Sequence, residues 1–283
     1  MKNMPWMIVG AILVAAVSWG FPPDGSCRIQ VGCCAPLKDV EAVRSAGFDY
    51  YEVRVAEVEA LSDEAFQKLQ GRLKDLNLPT PVANYFLPGR VRVTGPSTDR
   101  AQQLAYLRKA LDRMASLGVK IIVFGSSGAR NVPAGYPKDE AMRQLAEFCR
   151  VAAAEAEARN ITILIEPLRP QESNIINTVA EGLALVDEVK HPRFQLLVDF
   201  YHMAIQKEDF SIIDRAGARI LHAHIANPAG RVYPKTGDGC DYEGFFAALR
   251  RIRYGGCISV EANTSNMSLD GPAAISLIRE GTR

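Results

Sequence analysis

Four apolar runs in this chain each stop at one residue able to hold a metal ion or to move a proton. They are Ile163-Leu164-Ile165 before Glu166, Leu196-Leu197-Val198 before Asp199, Leu221-His222-Ala223 before His224, and Ile258-Ser259-Val260 before Glu261. The four ends are 33, 25 and 37 residues apart, the rhythm of buried strands separated by helices. An unpaired charge at the end of a buried run is costly, and a divalent cation shared by Glu166, Asp199, His224 and Glu261 removes that cost. Three carboxylates and one imidazole suit Mn2+, Co2+ or Mg2+ better than Zn2+. A carboxylate held beside such a cation can take a proton from the carbon next to a carbonyl, and a second can return it.

The elements that must aim these residues are legible along the chain. After residue 26, strand-like and helix-like segments alternate: strands are expected at Arg28–Gly32, Tyr50–Val53, Pro81–Asn84, Lys120–Phe124 and then before each of the four residues above. Between them lie amphipathic runs with helix signals. Ser62 is expected to cap one helix, Ser97 to begin another, Thr178-Val179-Ala180-Glu181 forms a capping box, and Asp241 and Asp270 are expected to cap the last two. Gly118 and Asn160 stand where left-handed helix ends are needed. Eight strands and eight helices in about 255 residues predict a single (β/α)8 TIM barrel, whose active sites lie at the C-terminal strand ends. An open doubly wound sheet would call for a Gly-rich loop after the first strand, and Gly32-Cys33-Cys34-Ala35-Pro36 is not one.

His222 shares a strand face with His224 and is expected one layer deeper, supporting it, with a secondary claim to be the ligand itself. His191 falls in a helix-to-strand turn and reads as structural. The long stretch from Gly125 to Pro137 is a candidate lid or wall. Asn84 and Ser126 end strands and are candidates to hydrogen-bond a ligand, while Tyr85, Phe86, Phe200 and Tyr201 line a wall or belong to the core.

With 33 Lys and Arg against 32 Asp and Glu, no global field draws in nucleic acid or an anionic membrane. The six cysteines lack CxxC pairing and read as small buried side chains. Residues 1–26 stand apart: the uncharged run from Met7 to Trp19, after Lys2, is short for a membrane span and suits an export signal, with an uncleaved membrane anchor as the rival. The expected organisation is this leader followed by one barrel over residues 27–283. Such a chain would be exported, whether periplasmic, secreted or anchored, and would meet a membrane only through its leader; a mis-assigned start would make it cytoplasmic.

The sequence resembles the xylose isomerase-like barrels, especially the sugar epimerases and hydroxypyruvate isomerase-type enzymes. The similarity runs from Ile29 to Glu261. It is carried by Ile165-Glu166-Pro167, Val198-Asp199-Phe200-Tyr201-His202, His222-Ala223-His224-Ile225-Ala226 with Gly230-Arg231 and Pro234-Lys235-Thr236-Gly237, and Val260-Glu261. The resemblance implies one divalent metal held by Glu166, Asp199, His224 and Glu261. It also implies proton transfer by Glu166 and Glu261 through a cis-enediolate, with His202, Glu172 and Arg231 touching a small sugar. Lys235 is expected to be solvated. The expected activity is that of a sugar isomerase or epimerase; an inosose dehydratase-like lyase and a non-catalytic sugar-binding barrel are the alternatives. Apurinic-site endonucleases look similar at strands five to eight, but their metal cluster needs further histidines where this chain has Asn84, Phe124-Gly125-Ser126 and Gly237-Asp238-Gly239. A homo-oligomer is expected only by analogy with relatives.

Overall fold

Eight strands alternate with helices and close into one parallel barrel in sequence order. The computed structural model describes residues 28–283, so the leader over residues 1–26 lies outside the described residues. The strands are β1 (Gln30–Cys34), β2 (Tyr50–Arg54), β3 (Val82–Asn84), β4 (Ile121–Phe124), β5 (Thr162–Ile165), β6 (Phe194–Asp199), β7 (Ile220–Ile225) and β8 (Cys257–Val260). Each parallel pair demands a crossover long enough for a helix, which the amphipathic runs supply. No helix among the described residues is long and apolar enough to cross a membrane.

The caps explain where several helices begin. Ser62 accepts from the Ala65 N–H at 3.2 Å, and Thr178 and Glu181 form the reciprocal capping box. The helix expected from Ser97 starts instead at Arg100, because Asp99 accepts from the Gln102 N–H at 3.0 Å. The last helix, Met267–Gly281, begins a turn earlier than expected. Asp270 therefore lies within its first turn and accepts from the Thr264 hydroxyl at 2.6 Å instead of capping. Asp241 accepts from the Glu243 N–H at 2.9 Å just ahead of the helix Glu243–Arg251, while Tyr242 occupies the cap position.

Side-chain alternation sorts each strand into two sets. Ile163 and Ile165 of β5, Val198 of β6, Ala223 and Ile225 of β7, and Ile258 and Val260 of β8 pack outward against the helices. Tyr50, Val82, Ile121, Val123, Leu164, Leu197 and Cys257 fill the barrel interior. Two residues beyond Leu164 and Leu197, the same inward face carries Glu166 and Asp199. On β7 the alternation alone does not give this result. Leu196 pairs with Ile220 and Leu197 with His222, leaving Leu221 as an extra residue, and this irregularity puts His222 and His224 in phase with Leu197 and Asp199. The register then sets Asp199 beside His224 and His224 beside Ser259, two residues before Glu261.

Candidate active site

Four strand ends thus converge on one point at the C-terminal mouth. Glu166, Asp199, His224 and Glu261 each offer a ligand atom, and these atoms lie within 4.8 Å of one another. His224 Nδ1 is 3.2 Å from Glu166 Oε1 and 3.6 Å from Glu261 Oε2. Asp199 uses Oδ1 to accept the Tyr201 N–H at 2.7 Å, whereas its buried Oδ2 has no hydrogen-bond partner. A buried carboxylate oxygen left unpaired among two more carboxylates and an imidazole is what a cation would satisfy, and the donor set fits a hard divalent ion.

The charges are arranged unequally. Burial and the neighbouring Glu166 push Asp199 up to about 7. Burial and the charge of Glu261 likewise raise Glu166. Burial also acts upward on Glu261, but the His224 and Arg231 cations outweigh it and hold that carboxyl at about 2. For His224, burial disfavours the charged ring, while Glu52 above all keeps its pKa well above the usual imidazole range.

The three residues expected to touch a ligand form an arc beside this cluster. Arg231 Nη2 donates to Glu261 Oε2 at 2.5 Å, and its Nη1 reaches Glu172 at 3.2 Å. Glu172 also accepts from Arg169 Nε at 2.8 Å. The Arg169 N–H donates to His202 Nδ1 at 3.2 Å, which leaves the His202 proton on Nε2, 3.6 Å from Asp199 Oδ2. Burial and the Arg231 charge hold His202 down to about 3, so the ring is neutral. Tyr201 sits beneath the Arg231 guanidinium, 4.6 Å from its ring centroid, and beneath that of Arg169 at 5.0 Å. Arg231 itself has φ 51°, a strained value for a bulky residue. The Asn263 N–H, donating to the Arg231 carbonyl at 2.8 Å, and the β-bridge between Asn227 and Val232 hold that turn.

Other expectations resolve differently. Asn84 donates to Glu261 Oε1 at 3.1 Å, so it steadies that carboxylate. Ser126 Oγ accepts from the Leu87 N–H at 2.9 Å, tying two loops together. Phe86 and Phe200 are core, Tyr85 is exposed, and Lys235 is solvated. His191 lies away from the site, 3.8 Å from Glu157.

Three contributors escaped the sequence reading. Glu52, mid-strand on β2, is fully buried against His222 and His224. Its signal was available: it has the inward parity of Tyr50 and is a lone carboxylate in an apolar run. Arg130, in the short helix Ser127–Arg130 after β4, is fully buried and donates to the Glu166 carbonyl at 2.8 Å. Gly125 faces inward after β4, where an added Cβ would lie 2.2 Å from Glu166 Oε2. Because that atom is the tip of a flexible side chain, Gly125→Ala should fold normally while swinging the carboxylate off its position. Misplacement on this scale is expected to cost on the order of 10²-fold in turnover, read as kcat/KM beside an unchanged melting temperature.

Comparison with known proteins agrees with this geometry. The pattern of the xylose isomerase-like TIM barrel family matches residues 40–281. An L-ribulose 3-epimerase of Methylomonas sp. (strain DH-1) is 32% identical over 81% of this chain and 79% of its own length. An L-ribulose 3-epimerase of Mesorhizobium japonicum is 28% identical over 79% of this chain and 74% of its own. The crystal structure of a D-allulose 3-epimerase from Methylomonas sp. in complex with D-allulose superposes with a TM-score of 0.79, at 26% identity, covering 89% of this chain and 97% of the other. The chain belongs to the xylose isomerase-like TIM barrel family.

Proposed function

We propose that this protein is a divalent-metal-dependent sugar epimerase that inverts the carbon next to the carbonyl of a small ketose through a cis-enediolate. It is an isomerase-class enzyme, as its relatives are. The observation that carries the reading is the pairing of Glu166 and Glu261. They come from β5 and β8, both approach His224 Nδ1, and their surroundings drive their proton affinities apart. Two carboxyls so separated are an acid and a base held on either side of one point.

Glu261, kept ionised by the positive charge around it, takes the proton from one face of the substrate carbon. Glu166, which holds its proton to higher pH, delivers one to the opposite face. Glu166, Asp199, His224 and Glu261 would hold the metal, which when bound polarises the carbonyl and so acidifies the adjacent C–H. His202, neutral with its proton on Nε2, donates to a sugar oxygen, and the Arg231–Glu172 pair orients neighbouring hydroxyls. Tyr201 beneath Arg231 keeps that guanidinium flat against the wall.

The direct test loads the full chain with Mn2+ in D2O and screens L-ribulose, D-psicose, D-fructose, D-tagatose, hydroxypyruvate and inososes by mass spectrometry. One solvent deuterium at the carbon beside the carbonyl, together with the C3 epimer, is the expected product of at least one ketose. Exchange followed by loss of water from an inosose would make the protein a lyase. Sugar binding without exchange would make it a binding barrel.

A further inference from the structure

We propose that Glu52 is a positioning residue that selects which ring nitrogen of His224 is offered to the metal, acting through a carboxylate shared by two buried histidines. The proposal rests on the reading of Glu166, Asp199, His224 and Glu261 as a metal centre. Glu52 lies on β2, across the barrel from β7, and points inward with Tyr50. Its Oε1 is 2.9 Å from His224 Nε2 and its Oε2 is 3.0 Å from His222 Nε2, and all three side chains are wholly buried. Among the described residues no lysine or arginine pairs with it.

An ionised carboxylate only accepts hydrogen bonds, so each facing Nε2 must carry a hydrogen. Once His224 Nε2 is committed to Glu52, the remaining lone pair of the neutral ring is on Nδ1. That nitrogen faces Glu166 and Glu261. Without the anchor, the hydrogen can sit on Nδ1, or a half-turn of the ring can put Cδ2–H in the place of Nδ1, and either change leaves no lone pair facing Glu166 and Glu261. His222 completes the device. By holding the second oxygen it stops the Glu52 carboxylate from turning, so the order of support runs from His222 through Glu52 to His224.

A purely structural account is less economical. A buried carboxylate between two imidazoles, in a barrel interior that also holds Leu164, Leu197 and Val123, is a costly way to fill space. Cys34 Sγ, 3.9 Å from His224 Nε2, offers another reading: Cys34, Glu52 and His224 as ligands of a second, softer ion. That arrangement requires Nε2 to have lost the proton that Glu52 accepts, so the two readings exclude each other.

The test is metal titration of the stripped full chain by calorimetry, with wild type, Glu52→Gln, Glu52→Ala and His222→Asn. Wild type should take one Mn2+. Glu52→Gln, close to isosteric, should weaken it about tenfold and Glu52→Ala up to about 100-fold, with His222→Asn weakening it less than either. The Mg2+-loaded protein gives a second readout that a merely structural role would not move. The chain has only four histidines, so 15N spectra can assign the His224 proton to Nε2 in wild type, and to a mixture of nitrogens in Glu52→Ala. Affinities of Glu52→Gln and Glu52→Ala within twofold of wild type would overturn the proposal; if Glu52→Ala fails to fold, Glu52→Gln decides alone. A second equivalent of Zn2+ bound with protection of Cys34 from alkylation would also overturn it. Failure of wild type to bind any divalent ion would overturn the metal reading and this proposal together, whereas binding by wild type with undiminished affinity in the folded Glu52 variants would overturn this proposal alone.

Discussion

Replacing Glu261 with glutamine is expected to abolish epimerisation in both directions, lowering kcat by about 10²- to 10⁴-fold at saturating metal. Glutamine keeps the volume and can still meet Asn84 or Arg231, but it cannot take up a proton. The wild-type carboxylate is available for that task because the positive charge around it, from His224 and Arg231 in the metal-free site, keeps it ionised despite burial. The two-base arrangement makes the outcome more specific than a loss of rate. The epimer whose C–H faces Glu261 should stop exchanging with D2O, whereas the opposite epimer should still exchange through Glu166 and return without inversion. Mass spectrometry on each epimer separately reads this asymmetry. Because Glu261 is also a candidate ligand, the assay must show bound metal, and full epimerisation by metal-loaded Glu261→Gln would remove Glu261 from the mechanism.

The strand ends were readable because burial and alternation act on sequence directly. An apolar run cannot end in Glu166, Asp199 or Glu261 without a reason, and inward parity follows from Leu164 and Leu197. His224 was found from its place after Ala223, yet its aim depends on the extra residue Leu221, which no local pattern announces. Glu52 gives no such strand-end signal because it lies in the middle of its strand, and only barrel closure brings it to His224. Arg130 and Gly125 matter through what they press against, a relation between distant segments. The last helix was misjudged from Asp270 for a similar reason: the Thr264 hydroxyl occupies the carboxylate that was expected to cap.

Removing the metal should loosen the protein, and the effect should depend on pH with a definite sign. Burial and the neighbouring Glu166 hold Asp199 at about 7, so the metal-free site retains a proton near neutrality that a cation must displace. Below pH 7, metal affinity should therefore fall by about tenfold per pH unit from Asp199 alone. At a free Mn2+ concentration of about 100 times Kd at pH 7, binding adds about 2.7 kcal/mol. That corresponds to a melting temperature about 5–10 °C above the chelated protein for a chain of this size. At pH 5.5 and the same Mn2+ concentration, the affinity loss reduces this increment to about 1 kcal/mol. The metal-free protein responds in the opposite direction. A carboxyl whose folded pKa lies above its unfolded value costs stability in full above about 7, and that cost fades as pH falls towards the ordinary aspartate range. The two melting curves should thus converge on acidification, the metal-loaded protein losing its advantage while the stripped protein is relieved of its strain. Differential scanning fluorimetry with Mn2+ or chelator between pH 5 and 8 measures both, and a gap that stays constant across that range would show that the carboxylates do not give up protons to the metal.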